Sequence, residues 1–255
     1  MRIDAASAAV VTGAASGLGE AVASALAEAG ARVAVFDRDA VAGRAVAKRI
    51  GGVSCTVDVA DADAVQAALA TARQAHGTES ITVNCAGIVP AARTVSRGRA
   101  HDAALFHQVI AINLIGTFNV ASQSAAGMVQ RTLVEEQEER GVIINTASVA
   151  AMDGQIGQVA YAASKGGVAG MTLPMARDLA DKRVRVIAVA PGIFGTPMVS
   201  AFPETVQASL AAQVPHPARL GRPEEFAALV RHIVENAYLN GEVVRLDGAV
   251  RMSPR

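Results

Sequence analysis

Tyr161 and Lys165 stand four residues apart, so a helix that carries them presents both side chains on one face. A free phenol titrates near pH ~10 and is a poor base at neutrality, but a neighbouring ammonium and the positive ring of an oxidised hydride acceptor both favour its phenolate. Bringing that pKa down to ~8 takes about 3 kcal/mol of differential stabilisation, within reach of a partly desolvated site. Ser148 lies thirteen residues upstream and adds a hydroxyl that can donate to an oxygen beside the phenol. Contacts of that kind are worth about 10²–10³ in rate. Together these groups can take the proton of a secondary hydroxyl while its carbon gives up a hydride. Asn113, within Ile112-Asn113-Leu114, is placed to join Lys165 to a water chain that returns protons to solvent. Tyr-x-x-x-Lys occurs in many ordinary helices, so this reading needs a hydride acceptor bound elsewhere on the chain.

The N-terminal region supplies one. Thr12-Gly13-Ala14-Ala15-Ser16-Gly17-Leu18-Gly19 follows an apolar run and opens a helical pattern. Glycines there permit a tight turn and let a pyrophosphate approach the backbone at a helix N-terminus. The spacing is G-x-x-x-G-x-G rather than the commoner G-x-G-x-x-G, with the same physical use. Asp37 lies 18 residues beyond Gly19, where a carboxylate accepts hydrogen bonds from adenosine ribose hydroxyls. It would repel a 2′-phosphate, so NAD is expected rather than NADP, with Arg38 partly offsetting the repulsion. Asp58-Val59 is expected to meet the adenine, and Asn84-Cys85-Ala86-Gly87 offers small residues that leave space for the cofactor. Cys85 reads as a packed thiol more than as a nucleophile, because no histidine stands beside it in sequence.

The elements that must position these groups alternate. Strands are expected at Ala8–Thr12, Arg32–Phe36, Val53–Val57, Ile81–Asn84, Val142–Thr146, Val184–Ala188 and Val243–Leu246. Helices are expected near Gly17–Ala29, Ala40–Ile50, Asp61–His76, Ala103–Arg131, Val159–Ala180 and Pro223–Glu235. Most strands are continuously apolar, as parallel strands covered on both faces are. The expected fold is therefore α/β: a Rossmann-type, doubly wound, seven-stranded parallel sheet with helices on both faces, in one domain over residues 1–255. Residues 194–222, rich in proline after the sixth strand, read as a substrate lid. The run Glu135–Arg140 reads as a solvated helix end or loop.

Composition narrows the function classes. Lys plus Arg and Asp plus Glu are 23 each, so nothing points to nucleic acid or an anionic membrane surface. Hydrophobic residues make up 51% and aromatics only 3%, so the core must be built from Ala, Val, Ile and Leu. Only Cys55 and Cys85 are present, which is no disulfide framework and fits a reducing compartment. With neither a leader pattern nor a membrane span read in the sequence, a cytoplasmic enzyme is expected. His76, His101, His107, His216 and His232 form no ligand pair at metal spacing, so no metal is expected. His216, between two prolines of the lid, reads as exposed more than as a substrate contact.

Taken together, Thr12-Gly-x-x-x-Gly-x-Gly19, Asn84-Cys-Ala-Gly87, Asn113, Ser148, Tyr161-x-x-x-Lys165 and Pro191-Gly192 resemble the short-chain dehydrogenase/reductase family. The match spans essentially the whole chain and departs from the commonest pattern at Cys85, where a second Asn is usual. Val142–Ala150, Gly154–Gln158, Met171–Pro174, Phe194–Pro197 and Leu239–Glu242 are similar to a branch of that family acting on 3-hydroxyacyl-CoA thioesters. The resemblance implies NAD-dependent oxidation of such thioesters, with steroid or branched-chain substrates also open, and a homotetramer. It implies that Ser16, Leu18, Asp37, Asp58, Val59, Cys85, Tyr161, Lys165, Phe194 and Thr196 touch the cofactor, and that Gln155 and Gln158 face substrate near Ser148. In the family, helices equivalent to Ala103–Arg131 and Val159–Ala180 pack across a two-fold axis, which implies a dimer or tetramer.

Two further functions stay open at this level. One is a biosynthetic ketoreductase running the opposite way, with NADH or NADPH. The other is a nucleotide-binding partner protein without chemistry, against which the intact Ser148, Tyr161 and Lys165 weigh. Arg93, Arg97 and Arg99 fall within seven residues on the expected rim and read either as phosphate ligands for a CoA carrier or as solubility charge.

Overall fold

The computed structural model describes residues 1–133 and 138–254. Seven parallel strands form one sheet: β1 (Ala8–Thr12), β2 (Arg32–Asp37), β3 (Val53–Thr56), β4 (Ile81–Asn84), β7 (Gly141–Thr146), β8 (Val184–Pro191) and β9 (Val243–Leu246). β5 (Val95–Ser96) and β6 (Arg99–Ala100) make a separate two-stranded hairpin. The order in the main sheet is β3-β2-β1-β4-β7-β8-β9, so its direction of winding reverses between β1 and β4. A crevice opens at the carboxyl ends of strands where such a reversal occurs.

The helices are α1 (Gly17–Glu28), α2 (Ala40–Ile50), α3 (Ala62–His76), α4 (Ala103–Ile110), α5 (Gly116–Met128), α6 (Val159–Asp178), α7 (Pro197–Ser200), α8 (Glu204–Ala212) and α9 (Pro223–Glu235). Side chains of a strand alternate between faces, and both faces here are apolar. From β1, Val11 joins Val22 and Leu26 of α1 and Phe226 and Ile233 of α9 in one core. Its neighbour Val10 joins Val65 and Leu69 of α3 in another. Truncating a residue such as Phe226, fully buried, removes about 3–5 kcal/mol.

The sequence places one helix over 103–131. The structure divides it into α4, a π-helical turn at Ala111–Ile115 and α5, which ends at Met128. The stretch Ala103–Met128 has a mean hydropathy of 1.4 over its best window and is long and apolar enough to cross a membrane by length and composition. The expectation of no such stretch is corrected here: the segment carries no Asp, Glu, Lys or Arg. It nevertheless packs along β4, β7 and α3, with Asn113, Thr117 and Ser124 buried on its inner face.

The charge cluster also differs from expectation. Glu135, Glu136 and Gln137 lie outside the described residues, but Glu139 is not solvated. Its side chain is 9% exposed and binds the guanidinium of Arg185, itself 7% exposed. Arg185 stands near the start of buried β8 and also donates to the Ile233 and Val234 carbonyls at the end of α9. A charge enclosed there needs a carboxylate, and that requirement draws Glu139 in.

Candidate active site

β1 ends at Thr12 and the chain turns sharply through Gly13, whose φ is +62°. A Cβ on Gly13 would sit 2.8 Å from the Ala86 backbone, and one on Gly19 would sit 2.2 Å from the Gly13 carbonyl oxygen. The turn therefore tolerates no side chain at either position. α2 and α3 are capped by Asp39 and Asp61, whose carboxylates accept from first-turn amides. At the start of α1 the N-cap Ser16 makes no such bond. The first-turn amides of α1 are thus left to an external anion, at the positive end of the helix dipole. Asp37 closes the cradle: its Oδ2 accepts from the Ala15 amide at 3.0 Å and its Oδ1 from the Asp39 amide at 3.0 Å.

These residues border one cavity of about 630 Å³ at the carboxyl edge of the sheet, within the range for small-molecule sites. Gly13, Ser16, Gly17, Leu18, Gly19, Asp37, Asp58 and Val59 line one end. Cys85, Ala86, Gly87, Pro191, Gly192, Phe194 and Thr196 line the middle. Ser148, Gln155, Gln158, Tyr161 and Lys165 line the other end. Of the catalytic and cofactor residues expected from sequence, Asn113 alone is not on the wall. A dinucleotide fits this lining: a glycine cradle for phosphates, uncapped amides and a carboxylate where a ribose would lie.

Ser148 follows β7 and caps a short 3₁₀ turn, Val149–Ala151, where its Oγ accepts from the Ala150 amide at 3.1 Å. Its own O–H is directed toward the Tyr161 phenol. Tyr161 and Lys165 open α6, with the Lys165 Nζ 5.8 Å from the centroid of the Tyr161 ring. Nζ donates to the Thr146 carbonyl at 2.6 Å. Burial lowers the Lys165 pKa to about 8, opposed by the nearby Cys85 sulfur. Burial raises the Tyr161 pKa above its ordinary value, opposed by Ser148. The acidity expected of Tyr161 thus depends on the second charge as well, that of a bound nicotinamide. The ammonium lies over the ring face, held by a backbone carbonyl, and desolvation of the phenolate outweighs what the protein supplies without a bound cofactor.

Asn113 sits fully buried in the π-helical turn. Its Oδ1 accepts from the Ile88 amide at 2.8 Å, while Nδ2 donates to the Ile88 carbonyl at 2.9 Å and to Ser164 Oγ at 3.1 Å. The carboxamide thereby ties the loop after β4 to α6. Cys85 is pushed up to about 11 by burial, with Thr146 and Lys165 pulling the other way, so its thiol stays protonated.

Gln155 and Gln158, implied as substrate contacts, both line the cavity, but their amides have partners within the chain. Gln158 Oε1 accepts from the Gln155 amide at 3.0 Å, and Gln155 Nε2 donates to the Ser253 carbonyl at 2.9 Å. Residues 194–222 leave and rejoin the body at one point: Gly195 donates to the Gly221 carbonyl at 2.8 Å, and Gly221 to that of Ile193 at 2.9 Å. Within that excursion α7 and α8 bring Val199, Phe202, Val206 and Leu210 onto the cavity. Sequence reading missed these four, although apolar spacing of three and four residues is a helical signal. It also missed Met252, from the C-terminal tail. His216 is exposed and not on the wall.

Arg93, Arg97 and Arg99 lie on or beside the β5–β6 hairpin, which turns through Arg97 (φ 51°) and Gly98 (φ 74°). All three are exposed. Arg93 borders a shallow recess of about 440 Å³ that shares Gln155 and Gln158 with the main cavity. Among the described residues no group of three or more His, Cys, Asp or Glu could hold a metal ion.

A family description for short chain dehydrogenases matches residues 7–207. The chain is 51% identical over 250 residues to 3-hydroxyacyl-CoA dehydrogenase type-2 of Bos taurus, covering 96% of this chain and 95% of that protein. It is 34% identical over 248 residues to the 3-oxoacyl-[acyl-carrier-protein] reductase FabG of Thermotoga maritima, covering 94% and 96%. Among solved structures, 3-hydroxyacyl-CoA dehydrogenase type-2 from Mycobacterium avium superposes with a TM-score of 0.94 at 39% identity, covering 100% of each chain.

Proposed function

The chain belongs to the short-chain dehydrogenase family, and from that premise we propose that it oxidises 3-hydroxyacyl-CoA thioesters with NAD. Membership makes it an oxidoreductase acting on CH–OH groups of small molecules with a nicotinamide cofactor. The observation that carries the finer reading is the character of the cavity. Ser148 and Tyr161 share the cavity with a nucleotide cradle and with apolar Val199, Phe202, Val206 and Leu210, and the exposed Arg93 borders the adjoining recess. An apolar acyl chain on an anionic carrier has that distribution of chemistry. Asp37 supports NAD over NADP, since a carboxylate fixed by two backbone amides cannot move aside for a 2′-phosphate.

Bound NAD⁺ supplies a hydride acceptor and a positive charge. Ser148 donates to the substrate oxygen and orients it, its own oxygen being held by Ala150. Tyr161 takes the hydroxyl proton at its phenolic oxygen. Lys165, over the ring face, favours the phenolate and lies where it can bind the nicotinamide ribose. Asn113 positions the Cys85–Gly87 loop through Ile88. Arg38, also on the wall, and the 34% identity to a reductase support a second reading, reduction of a ketone with NAD(P)H.

The test compares kcat/KM with NAD⁺ and NADP⁺ across 3-hydroxyacyl-CoA chain lengths and a hydroxysteroid. Preference for NADP⁺, or for the steroid over every thioester, contradicts the proposal. Replacing Arg93, Arg97 and Arg99 together by Ala raises KM for the thioester and spares the steroid; equal effects on both remove the carrier contact. Ile115, at the end of the π-helical turn, and Phe118 of α5, 47% and 50% exposed, support self-association into a dimer or tetramer, read by sedimentation.

A further inference from the structure

The tail after β9 runs back toward the substrate end of the cavity. Arg251, Ser253 and Pro254 are exposed, but Met252 between them is half-buried and lines the cavity. Two backbone carbonyls hold the tail in place: that of Ser253 accepts from Gln155 Nε2 at 2.9 Å, and that of Pro254 from the Ile156 amide at 3.1 Å. Upstream, Arg245 on β9 clamps the same two segments. It donates to Asp153 at 2.6 Å, to Asp247 at 2.8 Å and to the Val250 carbonyl at 3.1 Å. Asp153 precedes the Gln155 loop, and Val250 is fully buried at the root of the tail.

We infer that the tail is a fixed wall of the substrate site and that Met252 determines which acyl chains fit, with Arg245 and Asp153 as positioning residues. The inference rests on the proposed oxidation of secondary alcohols and adds the residue that sorts them by size. A thioether side chain suits the task, because it is unbranched and fills an irregular apolar gap. The glutamine amide nearest the tail is spent on holding Ser253, so discrimination at this wall is by volume rather than by hydrogen bonding.

The test is the ratio of kcat/KM for a long-chain 3-hydroxyacyl-CoA to that for 3-hydroxybutyryl-CoA. Met252→Trp lowers the ratio by about tenfold or more, the scale on which hydrophobic pockets sort substrates. Met252→Ala raises it, and both variants leave NAD⁺ affinity within about twofold. Asp153→Asn, which loosens the clamp while leaving Arg245 its second carboxylate, moves the ratio in the Ala direction. Ratios unchanged in both Met252 variants overturn the inference, as do variants that depress all chain lengths equally. If the wild type oxidises no thioester, the proposed substrate fails instead. A series of secondary alcohols graded in size, from cyclohexanol to a hydroxysteroid, then reads the same wall.

Discussion

Replacing Lys165 by Met is expected to stabilise the protein at neutral pH while removing its activity. Lys165 is 4% exposed, and burial moves its pKa from 10.5 to about 8. That displacement corresponds to about 3 kcal/mol spent on keeping the ammonium charged in the fold. Methionine keeps the length without the charge, but the Thr146 carbonyl loses a donor, which costs about 1 kcal/mol. The net gain is about 2 kcal/mol near pH 7, and a chain of this size then melts roughly 4–8 °C higher. Because the folded pKa lies below the unfolded one, the unfolded wild type holds the extra proton between about pH 8 and pH 10.5, and wild-type stability rises through that window. The variant lacks this gain, so its advantage shrinks above pH 8 and reverses near pH 10. Urea unfolding at several values from pH 7 to pH 10 reads the effect. A variant less stable than wild type at pH 7, or an advantage independent of pH, refutes the reasoning.

Three further outcomes follow from the same contacts. Gly19→Ala forces a Cβ against the Gly13 carbonyl, and titration calorimetry should find nucleotide binding lost, whereas near-normal affinity would contradict the cradle. Asp37→Asn removes the charge but not the shape, so the NAD⁺ to NADP⁺ ratio of kcat/KM should fall by tenfold or more, about 1.4 kcal/mol. Glu139→Ala strands the buried Arg185 charge and should cost about 3–5 kcal/mol, a fall in Tm on the order of 10 °C by calorimetry. A change under about 2 °C would return Glu139 to the surface.

What was legible in the sequence is what short-range chemistry dictates. Continuous apolar runs marked most of the seven strands of the main sheet, because a strand buried on both faces has no polar side to interrupt it. The glycine turn and the Tyr161–Lys165 spacing were legible because each is a local geometric requirement. Long-range settlements were not. Nothing local says that Glu139 leaves a charged run to meet Arg185, forty-six residues away. Nor does anything near Asn113 in sequence announce that its carboxamide meets Ile88 and Ser164. The lid helices were hidden by the prolines around them, and Met252 reaches the cavity only because β9 and Arg245 return the tail there.

The central claim is that Tyr161 exchanges the proton while a nicotinamide nucleotide, held on the glycine cradle, exchanges the hydride. Rapid-mixing single-turnover absorbance of the wild type and Tyr161→Phe, with NAD⁺ affinity measured alongside, tests it most directly. The account predicts that NAD⁺ binds both proteins within about twofold, while the hydride step slows by at least 10², the lower range for a positioned acid–base group. A Tyr161→Phe variant that reduces NAD⁺ at the wild-type rate would contradict it.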